Sequence, residues 1–275
     1  MNFTKMHGLG NDYVLVNCFR EKIQEPSELA KKISDRHFGI GSDGLILVKP
    51  SEKADFKMEI YNADGSAAKM CGNGIRCLAK YVYECGMTAK TVLTVETVSG
   101  IRTLILLIEE GTVGQICVDM GTPRLNAHSI PILCERDIVY KEPITVDGIS
   151  YRMTGISMGN PHAVVYVDDV KSYPVEKTGP AFEFHPRFPE RINVEFCQVL
   201  DRRTIALRIW ERGAGETLAC GTGACAACVA GVLNDLTDEK VTVKLLGGEL
   251  SVRWDRQVNH VYLTGPAVRV FDGIL

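Results

Sequence analysis

Cys71 and Cys220 each stand immediately before a Gly-X-Gly step, Gly72-Asn73-Gly74 and Gly221-Thr222-Gly223. A sulfur ahead of a glycine turn that opens a helix lies on unpaired backbone N–H groups and a partial positive charge. That setting favours thiolate and can bring a cysteine pKa from about 8.5 to roughly 3.5 to 7.5. The same amides form a cradle for a carboxylate, because glycine lets backbone approach a ligand closely. If two such sulfurs face one bound carbon from opposite sides, one as thiolate removes a proton and the other as thiol returns one. The stereocentre inverts, and the two groups exchange roles in the reverse direction. The other eight cysteines, Cys18, Cys77, Cys85, Cys117, Cys134, Cys197, Cys225 and Cys228, are read as small buried fillers.

The two cysteines are 149 residues apart (220 minus 71), and the same shift recurs elsewhere. Gly10-Asn11-Asp12-Tyr13-Val14-Leu15-Val16 falls on Gly159-Asn160-Pro161-His162-Ala163-Val164-Val165, and Met58-Glu59-Ile60-Tyr61 on Leu207-Arg208-Ile209-Trp210. Three matches at one offset indicate an internal repeat. Near the end of each half the shift slips to 144, with Gly121 facing Gly265.

To hold the sulfurs, each half needs a strand from Val14 or Ala163, a strand into Tyr61 or Trp210, a glycine turn and a helix. The helices are expected over 75–85, closed by Gly86, and over 224–233, which is apolar all round and therefore buried. Strands follow over 91–98, 102–108 and 116–119, and over 241–246, 250–254 and 260–263. An additional amphipathic helix is expected over 26–37, with Gly39 after its end. The predicted class is α+β: two pseudo-symmetric domains, each a curved, mainly antiparallel sheet wrapped around a central helix. Their expected extents are 1–120 with 266–275, and 121–265, with the active site in the cleft between them.

Composition narrows the partners. With 31 Lys+Arg against 34 Asp+Glu in 275 residues, the net charge is -3, which offers no footprint for nucleic acid or an anionic membrane. The longest apolar stretch, 223–233, is shorter than the roughly 20 residues of a membrane span. Residues 1–12 lack the apolar core of a signal peptide, so a cytoplasmic protein is expected. Ten cysteines in a chain long enough to build a core read as reduced thiols. His7, His37, His128, His185 and His260 show no metal-ligand spacing, and no metal is expected.

Asn62-Ala63-Asp64-Gly65-Ser66 through Met70-Cys71-Gly72-Asn73-Gly74-Ile75-Arg76-Cys77, the Gly159-Asn160-Pro161-His162 turn, and Glu211-Arg212-Gly213-Ala214-Gly215-Glu216-Thr217 through Cys220-Gly221-Thr222-Gly223 resemble diaminopimelate epimerases. The resemblance spans the chain, from Met6-His7-Gly8-Leu9-Gly10-Asn11-Asp12-Tyr13 to Gly265-Pro266. It implies that family's fold and a cofactor-independent, pyridoxal-phosphate-independent isomerase. Such an enzyme interconverts L,L- and meso-2,6-diaminopimelate on the bacterial route to lysine and peptidoglycan, as a homodimer. Carried over by position, Cys71 and Cys220 match the acid/base pair, and His162 and Glu211 match groups that tune the thiols. Asn11, Asn62, Asn160, Asn193, Glu211 and Arg212 match contacts to the diamino diacid substrate. Gly72-Asn73 and Gly221-Thr222 match the carboxylate cradle. Where some members carry a glutamine contact this chain has Gly44, which faces Asn193 at the repeat shift (193 minus 44 is 149). One half thus lacks a side-chain contact there.

Other signals are weaker. Gly39-Ile40-Gly41-Ser42-Asp43-Gly44 fits a dinucleotide pattern, but a helix precedes it and a strand follows, the reverse of that motif. Gly155-Ile156-Ser157-Met158-Gly159 fits a hydrolase elbow, which must turn from strand into helix; here a turn and a strand are expected. Cys225-Ala226-Ala227-Cys228 has no second pair to complete a zinc site. The alternatives to diaminopimelate are therefore another amino acid, such as proline or hydroxyproline, and, remotely, a serine hydrolase using Ser157. The amide side chains with Arg212 suit a longer ligand with an amino acid group at each end.

Overall fold

The computed structural model describes every residue except Lys69. The chain divides into two compact units, Met1–Asp119 with Thr264–Leu275, and Met120–Leu263. In the first, β1 (Asn2–Gly8) turns back antiparallel into β2 (Asn11–Asn17). After α1 (Pro26–Ser34), β3 (Gly44–Lys49) pairs parallel with β2, Tyr13 opposite Gly44. β4 (Phe56–Asn62) lies antiparallel to β3, and β5 (Ala67–Ala68) folds back on its end. α2 (Gly72–Glu84) leads to β6 (Val92–Thr97), parallel to β4, and then β7 (Gly100–Glu109) and β8 (Thr112–Gly121) run antiparallel. Leu45 and Leu47 of β3 join Val14, Val16, Ala30 and Ile33 in one core cluster against α1. Ile46, on the opposite face, meets the start of α2 at Gly74. A strand covered on both faces reads as a near-continuous apolar run, and β3 is buried from Gly44 to Val48.

The second unit repeats this plan. β9 (Glu142–Val146), β10 (Ile149–Ser157) and β11 (Pro161–Tyr166) are antiparallel. α3 (Val175–Glu183) precedes β12 (Asn193–Asp201), which is parallel to β11 with His162 opposite Asn193. β13 (Thr204–Glu211) and β14 (Gly215–Thr217) follow antiparallel, then α4 (Gly221–Leu233). β15 (Lys240–Leu245) is parallel to β13, β16 (Gly248–Asp255) antiparallel to β15, and β17 (His260–Gly265) comes next. The chain then returns to the first unit as β18 (Val268–Ile274), antiparallel to β1, with the terminal amine of Met1 2.8 Å from the carbonyl of Leu275.

The repeat holds residue by residue: α2 spans 72–84 and α4 221–233, both ends shifted by 149. Both helices start earlier than predicted, because their glycine steps form the first turn. The helix read as an addition has a counterpart at the same shift, since α1 spans 26–34 and α3 175–183. Gly179-Pro180 inside α3 disguises it, proline being a helix breaker. Glycine serves there because a Cβ on Gly179 would stand 2.4 Å from the Trp210 ring. α1 stops at Ser34 rather than His37 because the Asp35 carboxylate accepts the N–H groups of His37 and Phe38, both at 2.8 Å.

The ten cysteines are thiols, and the filler reading fits only some of them. Cys77, Cys197, Cys225 and Cys228 are buried, whereas Cys18, Cys117 and Cys134 are partly exposed and Cys85, the C-cap of α2, is exposed. Burial pushes the thiols of Cys77 and Cys228 up to about 12. In the unfolded chain they titrate at about 8.5. Between those values the unfolded chain releases protons that the folded protein keeps, so stability is full below about pH 8.5 and falls as pH rises. Each thiol contributes a slope of about 1.4 kcal/mol per pH unit within the window. Thermal melts between pH 8 and 10.5 should therefore be steeper in pH for the native chain than for a Cys77→Ala, Cys228→Ala variant. Equal slopes would contradict the assignment.

Candidate active site

Cys71 is the N-cap residue of α2, in extended backbone, and its sulfur lies 3.4 Å from the N–H of Gly74. The buried Tyr13 of β2 donates its hydroxyl to this sulfur at 3.2 Å. Asn11 Oδ1 is 3.4 Å from the sulfur and accepts Asn73 Nδ2 at 3.3 Å. Asn11 is itself fixed by donating Nδ2 to Asp43 at 2.8 Å. Asn73 is held from behind by the fully buried Arg76, which donates to Asn73 Oδ1 and the Gly72 carbonyl, each at 3.0 Å. A buried guanidinium thus lies under the turn proposed as a carboxylate cradle, adding positive charge to the helix terminus. Burial, then the neighbouring Cys71, pushes the Tyr13 phenol far above its ordinary value, so it stays protonated and acts as a donor.

Cys220 is the N-cap of α4 and is buried. Its sulfur lies 3.4 Å from Thr222 Oγ1, which accepts Asn160 Nδ2 at 3.2 Å. Asn160 Oδ1 faces His162 Nε2 at 3.0 Å, and His162 Nδ1 faces Glu195 Oε1 at 2.6 Å. His162 and Glu195 have no solvent exposure. The helix terminus alone predicts a lowered thiol, but at Cys220 the reverse holds. Burial and the charge of Glu211 push this thiol well above the ordinary cysteine range, with the Thr222 hydroxyl opposing them. Cys220 therefore holds its proton more tightly than a free thiol.

Glu211, at the end of β13, accepts the Thr217 hydroxyl at 2.6 Å. Asn193 spends its amide on backbone, donating to the Pro161 carbonyl at 2.7 Å and accepting the Arg212 N–H at 2.9 Å. It joins β11 to the loop that carries Arg212. That loop is also gripped by the buried Glu183, which accepts the Trp210 indole at 2.7 Å and the Gly213 N–H at 2.9 Å. Arg212 is exposed and donates Nη1 to the Glu190 carbonyl at 2.8 Å. Asn62, exposed at the end of β4, holds the place of Glu211 at the repeat shift (211 minus 62 is 149) and donates to Ser66 at 2.9 Å. At Gly44 a Cβ would stand 2.3 Å from the Tyr61 carbonyl oxygen, so the close approach of β3 to β4 excludes any side chain.

Each half-site lies within one unit, Asn11, Asn62, Cys71, Gly72 and Asn73 in the first and Asn160, His162, Asn193, Glu211, Arg212, Cys220, Gly221 and Thr222 in the second. Tyr13, Glu195 and Glu183 were missed by the sequence reading. The shift of 149 was a signal for Tyr13, which it matches in sequence to His162 (162 minus 13). Ser157 ends β10 and leads through a turn into β11, without the helix that a hydrolase elbow needs. The stretch 39–44 follows α1 and runs into β3, the wrong order for a dinucleotide turn.

No helix among the described residues is long and apolar enough to cross a membrane. Among solved structures, a PhzF-family phenazine biosynthesis protein of Bacillus anthracis superposes with a TM-score of 0.72 at 18% identity, covering 100% of this chain and 99% of that one. A hydroxyproline epimerase from Agrobacterium vitis gives 0.70 at 14% identity, covering 99% and 90%. These likenesses establish the α+β diaminopimelate epimerase-like fold. In sequence the chain is 59% identical over 273 residues to a diaminopimelate epimerase of Acetivibrio thermocellus, covering 99% of this chain and 98% of that one. It is 54% identical to that of Methanococcus maripaludis strain C5, covering 99% of each. The diaminopimelate epimerase family profile matches residues 3–126 and 154–270, and the chain belongs to that family.

Proposed function

We propose that this isomerase interconverts L,L- and meso-2,6-diaminopimelate, using Cys71 and Cys220 on opposite faces of one α-carbon. The observation that carries the reading is the equivalent placement of the two sulfurs, each capping a glycine-opened helix at the repeat shift. A thiolate takes the α-proton: the C–H bond breaks, an S–H bond forms, and the electron pair spreads into the substrate carboxylate. The amides at 72–73 and 221–222 stabilise the charge that develops there. The opposite thiol gives its proton to the other face of the carbon, so the centre inverts and thiol and thiolate have changed places. The raised pKa of Cys220 makes it the donor in the direction that starts from a Cys71 thiolate. Glu211, whose charge acts on Cys220, and His162, linked to it through Asn160 and Thr222, tune that sulfur. Asn11, Asn62, Asn160, Asn193 and Arg212 bind the two amino acid groups. In this reaction all proton transfers are made by the chain's own residues, and no cofactor or metal enters. Exposed apolar side chains on β18, Val268, Val270 and Phe271, support a homodimer, acting in the cytoplasm in lysine and peptidoglycan precursor synthesis.

Incubation with L,L-diaminopimelate in deuterated water should place deuterium at one α-position as the meso isomer accumulates. Absence of both, by NMR, would overturn the reading. Cys71→Ala and Cys220→Ala should each reduce kcat at least about a hundredfold. Tyr13→Phe removes a donor to the Cys71 sulfur, and a hydrogen bond to a charged group is worth about 1.5–3 kcal/mol. The pH midpoint for alkylation of Cys71, mapped by mass spectrometry, should rise by about one unit, with that of Cys220 unmoved; an unchanged Cys71 midpoint would remove Tyr13 from the site.

A further inference from the structure

The hydrogen-bond chain in the second unit has a direction. Asn160 Nδ2 donates to Thr222 Oγ1, so once Cys220 is a thiolate the hydroxyl hydrogen of Thr222 is left to point at its sulfur, 3.4 Å away. The same orientation turns Asn160 Oδ1 towards His162 Nε2, which must then carry a proton. Were Nε2 bare, the amide would turn over, Asn160 Oδ1 would take the Thr222 hydrogen, and Cys220 would lose its donor. What decides the proton on Nε2 is the group on the other side of the ring, Glu195, 2.6 Å from Nδ1.

Three states of the pair are possible. A neutral carboxyl donating to Nδ1, or a carboxylate beside an imidazolium, leaves a proton on Nε2. A carboxylate beside a neutral imidazole leaves Nε2 bare and buries a net negative charge. Glu195 has no solvent exposure, and its Oε2 has no hydrogen-bond partner among the described residues. The charged groups that bear on the pair and on Cys220 are Glu211 of β13, Glu195 of β12 and His162 of β11. Glu211 makes a further buried negative charge costlier still. Burial, followed in the same direction by Glu211, raises the Glu195 carboxyl against the pull of His162. An unpartnered buried charge is what the net-neutral states avoid, and both of those leave the proton on Nε2.

The repeat supplies an internal comparison. Glu195 occupies the place of Ile46, and His162 that of Tyr13, each 149 residues on. A Cβ on Gly74 would meet Ile46 Cδ1 at 2.7 Å, and one on Gly223 would meet Glu195 Oε1 at 2.7 Å. The same space beneath a central helix holds a methyl group in one half and a carboxyl in the other.

We propose that Glu195 is a positioning residue for the reaction: by holding a proton on His162 Nε2 it fixes the polarity of the His162, Asn160 and Thr222 chain and so aims the Thr222 hydroxyl at Cys220. The proposal rests on the reading of Cys220 as an acid/base group, but its test does not require turnover. The pH midpoint of Cys220 modification by methyl methanethiolsulfonate, mapped by mass spectrometry, is compared in the native chain, Glu195→Leu and Glu195→Gln. Leucine frees the ring, and the midpoint should rise by about one unit; glutamine, whose amide can donate to Nδ1, should keep it within about a quarter of a unit. Cys71 should be unmoved in both. If Glu195 acted through its charge instead, its removal would lower the Cys220 midpoint, so a fall in Glu195→Leu, no change, or a glutamine variant shifted as far as leucine overturns the proposal. Should Glu195→Leu fail to fold, nitrogen-15 NMR of the native histidines decides, since a bare His162 Nε2 is incompatible with it. Failure of the isotope-exchange experiment would discard the acid/base reading while leaving these measurements intact.

Discussion

The first N–H groups of an α-helix have no carbonyl a turn earlier to bond, and a buried helix start must find them partners. In this fold α2 and α4 begin in the interior, each capped by a cysteine and opened by glycine. Much of the surrounding architecture follows from that requirement. The glycines are set by closeness to the sheet, since a Cβ on Gly74 or Gly223 would collide with Ile46 or Glu195. Strands β3 and β12 must therefore be buried on both faces, and α1 and α3 cover the sides away from the central helices. A helix start of this kind is also where an anion can bind, so under the proposed reaction the energetic problem of the buried terminus becomes its chemical use.

The repeat supplies two such termini, and their surroundings differ. Two equivalent thiols would share a single proton evenly, whereas under the proposed two-base reaction different surroundings assign the charge to one sulfur and the proton to the other. The differences are concentrated under the sulfurs: Tyr13 and Ile46 in one unit, His162 and Glu195 in the other, with Asn62 in the place of Glu211. The first half therefore offers a neutral phenol donor and an apolar floor. The second offers a titratable pair and a nearby carboxylate, which with burial keeps Cys220 protonated. Backbone geometry is repeated while the proton-holding groups are not.

Most of the frame was legible because the repeat shift is carried by the positions that strand pairing and helix starts constrain. Cys71 with Cys220, and the strands beside them, came from matching residues at one offset. α3 was hidden because Gly179-Pro180 reads as a break, and only the indole of Trp210, distant in sequence, explains why glycine belongs there. Glu195 was invisible for a related reason. In Asn193-Val194-Glu195-Phe196 it alternates with apolar neighbours and looks like the outward residue of a half-exposed strand, yet α4 covers it. The lowered pKa expected of Cys220 failed because a local rule about helix ends does not count the depth of burial or the charge of Glu211. Cys85 failed in the other direction, a helix-end position that faces outward.

The return of β18 to β1 sets the order in which the molecule can be completed. The second unit is contiguous, and all its strands are available once residue 263 has been made. The first unit is not: β1 waits for a partner whose register reaches from Asn2 to Ile274, across nearly the whole chain. Closing so long a loop is entropically slow compared with the local hairpins elsewhere. During synthesis the earlier-made half is therefore the later to finish, and until then one side of β1 presents unpaired backbone. That open strand is a stage at which mispairing with another chain has a template.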